Sequence, residues 1–250
     1  MKQSTPGTAE PQLRIDPPDT QEVRNEEALA RENTQRKGNV QAELVLRGPR
    51  EETSVRWYSR GYLPHYDDIQ KIQTVTFRLA DSLPAQTLAE LEAELKRHPP
   101  SKRDAHRRKR LDQWLNNGAG CCALSHPQVA KVMQETLLKF DGARYHLVAW
   151  CIMPNHVHTL IQPRTHLSRV VQSWKSFTER WALARNLELQ LGISGDRFWM
   201  PDYWDRYIRD QEHFSKVVDY IHQNPISAGL CQKAEDWLWS SARFPPGNAE

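Results

Sequence analysis

Two apolar runs separated by a Pro-Asn pair limit the possible folds of this chain more than any other feature. Tyr145–Met153 and His156–Ile161 are rich in β-branched and aromatic residues, and Pro154-Asn155 lies between them. Runs of this length and composition on either side of a turn-forming pair are typical of strands. The stretch therefore predicts two neighbouring antiparallel strands, which excludes an all-parallel sheet.

The second of these strands carries two histidines, His156 and His158. Side chains alternate between the faces of a strand, so both imidazoles point to one face and Val157 points to the other. Two imidazoles side by side are a good start for a divalent metal site. A polar sheet face that carries two surface histidines gives the same motif, and the His-x-His spacing alone does not separate these interpretations.

The composition indicates one globular domain with part of the chain left unpacked. Of the 250 residues, 38% are hydrophobic, and the formal net charge of +3 is compatible with a nucleic-acid partner. The four cysteines include no Cys-x-x-Cys pair, and no apolar run approaches the length of a membrane span. We expect reduced thiols, no membrane contact and a cytoplasmic location.

The polar N-terminal region differs from the rest of the chain. Residues 1–54 are rich in Pro, Glu, Gln, Arg and Asn without periodic apolar positions, and we expect a disordered tail. Residues 55–244 form the predicted domain, which contains a basic helical insert at about 85–120. Residues 245–250 are expected to fray.

The remaining periodic segments predict one more strand and five helices. The strand is Ile72–Leu79, with Val75 and Phe77 on one face. The helices are Leu88–Leu95, Ser101–Asn117, Pro127–Phe140, Leu167–Leu191 and Gln211–Gln223. Asn224-Pro225 is expected to end the last helix, because proline disfavours helical geometry in the preceding residue. This order indicates an α+β fold.

The last predicted helix brings three polar side chains to one face. Tyr220 and Asn224 are four residues apart, and Lys216 lies one turn earlier. A helical tyrosine is more often a core residue than a nucleophile. Its polar companions favour a functional role, because a core would contain Leu or Val at those positions.

Basic residues indicate a surface for nucleic acid. The segment Ser101–Asn117 carries six Lys or Arg residues and few acids, which fits a phosphate-binding patch and also an ordinary solvated helix face. The candidate DNA-binding residues are Arg107, Arg108, Arg110, Lys175, Arg206 and Arg209.

Five segments together resemble the REP-associated tyrosine transposases, which are relatives of the single-tyrosine HUH (IS200-like) transposases. The segments are Met153-Pro154-Asn155-His156-Val157-His158, Trp174-Lys175-Ser176-Phe177, Tyr203-Trp204-Asp205-Arg206, Tyr220-Ile221-His222-Gln223-Asn224-Pro225 and Trp237-Leu238-Trp239-Ser240-Ser241. The resemblance implies a ferredoxin-like or RRM-like antiparallel sheet with helices on one face.

The resemblance also implies a role for each matching residue. His156, His158 and Asn224 would hold a divalent ion, and Tyr220 would be the nucleophile. Such enzymes cut and rejoin single-stranded DNA beside palindromic hairpin repeats through a 5′-phosphotyrosine. Nitrogen and oxygen ligands without a thiolate suit Mg²⁺ or Mn²⁺. Lys216 is a possible support that lowers the pKa of the phenol.

Two other functions use part of the same set of residues. A non-catalytic hairpin-binding protein of this fold would use the basic residues alone, and a small-phosphoester hydrolase would use the histidines without Tyr220. Transesterification is favoured because it uses the histidines, the Tyr/Asn face and the basic helix together. The sequence leaves open whether the protein is a monomer or a homodimer, and bacterial nucleoid association is an expectation.

Overall fold

The computed structural model describes residues 57–59, 64–66, 68–69 and 71–244. The predicted disordered tail, residues 1–54, and the predicted frayed end, residues 245–250, lie outside the described residues. Within the described part of the chain, no helix is long and apolar enough to cross a membrane. The four cysteines are free thiols, as expected.

A four-stranded antiparallel sheet forms the centre of the fold. Its strand order is β4-β5-β3-β6, and a separate two-stranded ribbon pairs β1 with β2. The strands are β1 (Trp57–Ser59), β2 (Pro64–Tyr66), β3 (Gln73–Arg78), β4 (Tyr145–Ile152), β5 (His156–Pro163) and β6 (Trp204–Tyr207). The predicted α+β fold with an antiparallel sheet is confirmed.

Five α-helices surround the sheet, in the order predicted. They are α1 (Ala85–Lys96), α2 (Pro100–Asn116), α3 (Pro127–Leu138), α4 (Leu167–Ala184) and α5 (Gln211–Ser227). The helices α1 and α2 form the predicted helical insert, and their contact is a small separate core that includes Leu91, Leu95, Leu111 and Leu115.

The main core lies between one face of the sheet and the helices α3 and α4. Val75, Phe77 and Val157 point from the sheet to this side, where they meet Met133 and Trp174. Burying these apolar faces supplies the main favourable contribution to folding. It also fixes the strand register, because a shift by one residue would turn β5 over and bring its histidines into this core.

The other face of the sheet is covered by α5. Val148, Cys151 and Leu160 contact Phe214 and Ile221 there. The expectation of helices on one face is therefore wrong, because α5 carries its own apolar stripe and buries it against the opposite side. The two histidines of β5 point to this second face.

Helix α5 passes through Pro225 and ends at Ser227, so the prediction that Asn224-Pro225 ends it is wrong. The restriction that proline places on the preceding residue is a preference. Both Asn224 and Pro225 are buried, and backbone bonding resumes at once, with Ala228 donating to the Asn224 carbonyl (3.0 Å) and Leu230 to the Pro225 carbonyl (2.9 Å). Tertiary burial outweighs the local preference.

Helix α4 ends at Ala184, seven residues before the predicted end. The Asn186 side chain donates to the Ile193 carbonyl (2.8 Å) and accepts from the Ile193 N–H (3.1 Å), which holds a compact loop. Asparagine side chains compete with helical backbone bonds in this way. The apolar residues of 185–191 instead belong to a loop that packs against the core.

The strand β6 is missing from the sequence prediction. Trp204 pairs with Thr76 and Tyr207 pairs with Gln73 at the edge of the sheet. All four residues of β6 are half-buried, so the strand has no apolar alternation. Edge strands of this kind lack the periodic pattern by which strands are recognised.

We expect Tyr145→Phe to destabilise the fold by about 1–3 kcal/mol. The buried Tyr145 hydroxyl donates to the Leu137 carbonyl (2.6 Å) and accepts from the Trp174 indole N–H (2.9 Å), so its removal leaves two buried polar groups without a partner. Urea unfolding of the two proteins measures the difference. Equal unfolding free energies would contradict this assignment.

Candidate active site

The two imidazoles of β5 lie side by side beneath α5. Both side chains are buried, with 1% of each residue exposed. The Nε2 atoms of His156 and His158 are 3.0 Å apart, and the ring planes are nearly perpendicular at 88°. The predicted common face of the two histidines is therefore confirmed, and the alternative of two surface histidines is excluded.

Asn155, in the turn between β4 and β5, fixes the orientation of the first imidazole. Its Nδ2 donates to the Leu115 carbonyl (3.1 Å) and the Ala119 carbonyl (2.9 Å), so its Oδ1 must be the atom that faces His156 Nδ1 at 2.7 Å. Because an amide oxygen only accepts, Nδ1 of His156 carries the proton. The Nε2 lone pair of His156 therefore points towards His158.

The second imidazole is oriented by β3. Nδ1 of His158 lies 2.8 Å from the Thr76 hydroxyl, which can donate or accept and so permits either neutral tautomer. With Nδ1–H donating to Thr76, both Nε2 lone pairs converge on one point. Two lone pairs 3.0 Å apart repel each other unless a proton or a cation lies between them, and this geometry fits a cation.

Burial keeps both imidazoles neutral. Desolvation lowers the pKa of His158 to about 4, and it lowers the pKa of His156 well below the ordinary value, with a further contribution from His158. At neutral pH both rings are therefore uncharged, which is the form that binds a metal ion.

Helix α5 brings Tyr220 to the same place. The Tyr220 ring lies edge-on to His158, with 5.3 Å between the ring centroids, and 40% of Tyr220 is exposed. One turn further along, Asn224 is buried, and its Nδ2 donates to the Tyr220 carbonyl at 3.0 Å. The amide oxygen of Asn224 is thus the atom left available by this hydrogen bond. Metal binding by Asn224, His156 and His158 stays a prediction.

Arg78, at the end of β3, is a residue of this site that sequence reasoning did not identify. It lies directly opposite His156 in the sheet and is 2% exposed. Its Nη1 donates to Ser82 Oγ (3.1 Å), and its guanidinium lies 5.7 Å from the Trp204 ring centroid. Burial lowers its pKa to about 10, and its Nε has no hydrogen-bond partner in the part of the chain that is described. An arginine at a strand end gives no sequence signal of such burial.

Several predicted DNA-binding residues already have partners within the protein. Arg107 pairs with Glu92 (3.2 Å), and Arg110 pairs with Glu94 (3.2 Å), which joins α2 to α1. Neither pair is fully buried, so an anionic partner can still approach these guanidinium groups.

The other predicted basic contacts differ in their environment. The Lys175 ammonium donates to the Met200 carbonyl (2.6 Å) and the Pro201 carbonyl (2.7 Å), and it thereby holds a loop. Arg206 is half-buried on β6 and Arg209 is exposed, while the side chain of Arg108 lies outside the described residues. DNA binding by these residues stays a prediction.

Lys216 pairs with Glu212 on the exposed side of α5. This ion pair raises the pKa of Lys216, which stabilises its charge. The support of Tyr220 by Lys216 stays a prediction.

A second group of potential metal ligands lies on the helical insert and was missed by sequence reasoning. Glu94, His98 and His106 place ligand atoms within 4.8 Å of one another. However, Glu94 Oε1 is 2.7 Å from His106 Nε2, and Glu94 Oε2 accepts from Arg110. Glu94 and His106 are therefore already paired within the protein, and the group lies among the cations of α2, which oppose a metal ion.

The part of the chain that carries the histidines and Tyr220 matches a known protein family. Residues 124–224 match the family described as Transposase IS200 like. The match includes both histidines, Tyr220 and Asn224. It begins after β3 and after the helices α1 and α2, which lie outside the matched residues.

The resemblance to REP-associated tyrosine transposases is confirmed by sequence similarity. The chain is 23% identical over 113 residues to the REP-associated tyrosine transposase of Escherichia coli (strain K12), covering 44% of this chain and 63% of that protein. It is 28% identical over 108 residues to a putative REP-associated tyrosine transposase of Haemophilus influenzae (strain ATCC 51907 / DSM 11121 / KW20 / Rd), covering 39% and 58%. The chain thus spans about three fifths of the length of these curated relatives.

The chain is also similar to a solved structure. It is the structure of a REP-associated tyrosine transposase bound to a REP hairpin, with a TM-score of 0.45 and 16% identity, covering 73% of this chain and 83% of that chain.

We expect the metal-free protein to lose unfolding free energy as the pH falls from about 6.5 towards 4. The folded pKa of His158 is about 4, below the unfolded value, so within this window the unfolded chain binds a proton that the folded chain excludes. For His158 the loss approaches about 3 kcal/mol. Urea unfolding at a series of pH values measures it. The double variant His156→Asn/His158→Asn is the control, and an equal pH dependence in both proteins would contradict the assignment.

We expect Asn155→Ala to weaken Mn²⁺ binding by about 10- to 100-fold, because the variant loses the acceptor that orients His156. Calorimetric titration with Mn²⁺ measures the affinity. Asn186→Ala is the matched control, since it also removes an amide that holds a loop but has no contact with the histidines. Equal Mn²⁺ affinity in the two variants would rule out an orienting role.

Proposed function

We propose that this protein cuts and rejoins single-stranded DNA beside palindromic hairpins by metal-dependent transesterification at Tyr220. The observation that carries this proposal is the contact between the Tyr220 ring and His158, at 5.3 Å between centroids. All the proposed groups come from one chain, so a single copy would hold a complete site.

The proposed metal ligands are His156, His158 and Asn224. Their two neutral imidazoles and one amide oxygen suit Mn²⁺ better than Mg²⁺, because Mg²⁺ prefers oxygen ligands. When bound, the ion would neutralise and orient the scissile phosphate. The donor set leaves positions for phosphate oxygens, which a closed structural site would lack.

The proposed reaction is an exchange of esters. The Tyr220 Oη attacks the phosphorus, the bond from phosphorus to O3′ breaks, and the leaving O3′ takes up a proton. The products are a 5′-phosphotyrosine and a free 3′-hydroxyl. The exposed side of the phenol can release its own proton to solvent. Attack of a 3′-hydroxyl on the phosphotyrosine reverses the step, and no ATP is needed because the ester bond is conserved.

The buried guanidinium of Arg78 favours the binding of an anionic substrate at this site. A buried guanidinium without a carboxylate partner among the described residues is unfavourable, and a backbone phosphate would compensate its charge. The histidines are as buried as Arg78, so an opening that admits a phosphate to Nε2 of His156 would also bring it towards the guanidinium.

The DNA part of the proposal rests on the motif resemblance and the two curated relatives. The predicted contacts of Arg107, Arg108, Arg110, Arg206 and Arg209 belong to it, and such contacts make affinity fall with salt. A cytoplasmic location at the nucleoid would follow from a chromosomal substrate.

We expect wild-type protein with Mn²⁺ and single-stranded hairpin DNA to form a covalent adduct, and Tyr220→Phe to form none while it still binds the hairpin. Without the phenol oxygen no group remains to attack the phosphate. Denaturing gel electrophoresis with labelled DNA detects the adduct, and fluorescence anisotropy measures binding.

Tyr207→Phe is the matched control, because Tyr207 lies opposite Gln73 and points to the other face of the sheet. This variant should form the adduct at the wild-type rate. An adduct formed by Tyr220→Phe would contradict the proposed nucleophile. Hairpin binding by wild-type protein without any adduct would favour the non-catalytic binding function instead.

A further inference from the structure

A groove of about 590 Å³ opens between the end of α2 and the end of α5. Its volume is in the range of pockets that hold small organic ligands. Amide and guanidinium groups dominate the lining, and one indole supplies an aromatic surface. The lining residues are Arg110, Gln113, Trp114, Asn116, Asn117, Ser227 and Ala228.

Both walls of the groove are connected to residues of the candidate active site, one along helix α5 and the other by hydrogen bonds. Ser227 follows Tyr220 by seven residues on α5, which corresponds to about 10 Å along the helix. On the opposite wall, the Leu115 carbonyl accepts from Asn155, whose other amide atom contacts His156. The groove therefore has a fixed position relative to the histidines.

Arg110 and Trp114 form a stacked platform at this groove. The guanidinium carbon lies 4.7 Å from the indole centroid. The guanidinium is held in place because its Nε donates to Glu94 (3.2 Å) and its Nη1 donates to Gln113 (3.4 Å). A flat surface that is held in this way suits stacking with a planar ligand more than end-on contact with a phosphate.

Asn116 supplies a second and independent observation. Its Oδ1 is buried and has no hydrogen-bond partner among the residues that the structure describes. A buried acceptor without a donor is unfavourable. Ser227 and Ala228, at the carboxyl end of α5, form the facing wall. The unpaired acceptor of Asn116 favours a ligand that donates a hydrogen bond.

We propose that this groove binds one nucleobase of the single-stranded DNA, namely a base with an exocyclic amino group. The base stacks on the Arg110–Trp114 platform, and its amino group donates to Asn116 Oδ1. Adenine, cytosine and guanine carry such a group, whereas thymine does not. The proposal extends the proposed function, since it names the part of the substrate that the helical insert recognises.

The position of the groove predicts which base is bound. The rise of about 10 Å along α5 from Tyr220 to Ser227 separates the phenol from one wall of the groove, so the bound base would lie within a few nucleotides of the scissile phosphate. Recognition by α2 would thus select the sequence close to the scissile phosphate.

An abasic scan tests the proposal. Tyr220→Phe protein, which cannot cleave, is titrated with oligonucleotides that lack one base at each position in turn, and anisotropy gives the affinity. We expect removal of the base at one position to lower the affinity on the order of 10-fold, with small effects elsewhere. In protein that also carries Trp114→Ala, removal of that base should have no further effect.

Two variants make the result specific. Trp181→Ala is the matched control, because Arg185 stacks on Trp181 at 4.6 Å on the distant helix α4, and this variant should keep the sensitivity to the abasic position. Asn116→Leu should reduce the preference for amino-bearing bases over thymine at the same position while retaining stacking. This variant also serves if Trp114→Ala fails to fold.

The outcomes distinguish base binding in the groove from the proposed transesterification. Equal affinity for all the abasic oligonucleotides would overturn the base-binding proposal, and so would an abasic effect that persists in full with Trp114→Ala. Either result would do so even where wild-type protein forms the covalent adduct. A single sensitive position that depends on Trp114 and Asn116 supports it even where no adduct forms, and in that case the proposed transesterification fails alone.

Discussion

The amide of Asn155 connects the parts of this protein that define its site. From the turn between β4 and β5, its nitrogen holds the end of α2 and the following loop, and its oxygen holds the ring of His156. One side chain thus sets both the tautomer of a metal ligand and the position of the helical insert. A displacement of the insert and a displacement of the imidazole are therefore linked through one buried side chain.

One face of the sheet carries the main apolar core, and the other face carries the candidate active-site residues. The face towards α3 and α4 carries the large apolar side chains, with Phe77 and Trp174 stacked at 6.1 Å between centroids. The face towards α5 carries His156, His158 and Arg78 in a mixed polar and apolar environment. Polar groups are tolerated there because α5 covers them and neighbouring side chains orient them, while the opposite core supplies most of the free energy of folding.

The helical insert has more internal structure than a flexible basic arm would have. Its leucines form a separate core, and Glu92 and Glu94 hold two of its arginines. The charge run in the sequence indicated a phosphate-binding surface or a solvated face, and neither describes Arg110 fully. Its ion pair with Glu94 turns a flexible cation into a fixed planar surface next to Trp114, which is the physical basis of the proposed base recognition.

The sequence by itself determined the elements of this protein whose pattern is local. Alternation placed His156 and His158 on one face, helical spacing placed Tyr220 and Asn224 on another, and both assignments depend only on the repeat of a strand or a helix. Tertiary structure decided what periodicity cannot encode: that β6 joins the edge of the sheet, that α5 continues through Pro225 against the second face, and that Tyr220 reaches His158. These features depend on burial against residues distant in the chain. The same burial hid Arg78, since a cation that is solvated in the isolated strand is desolvated only when β6 and the helices close over it.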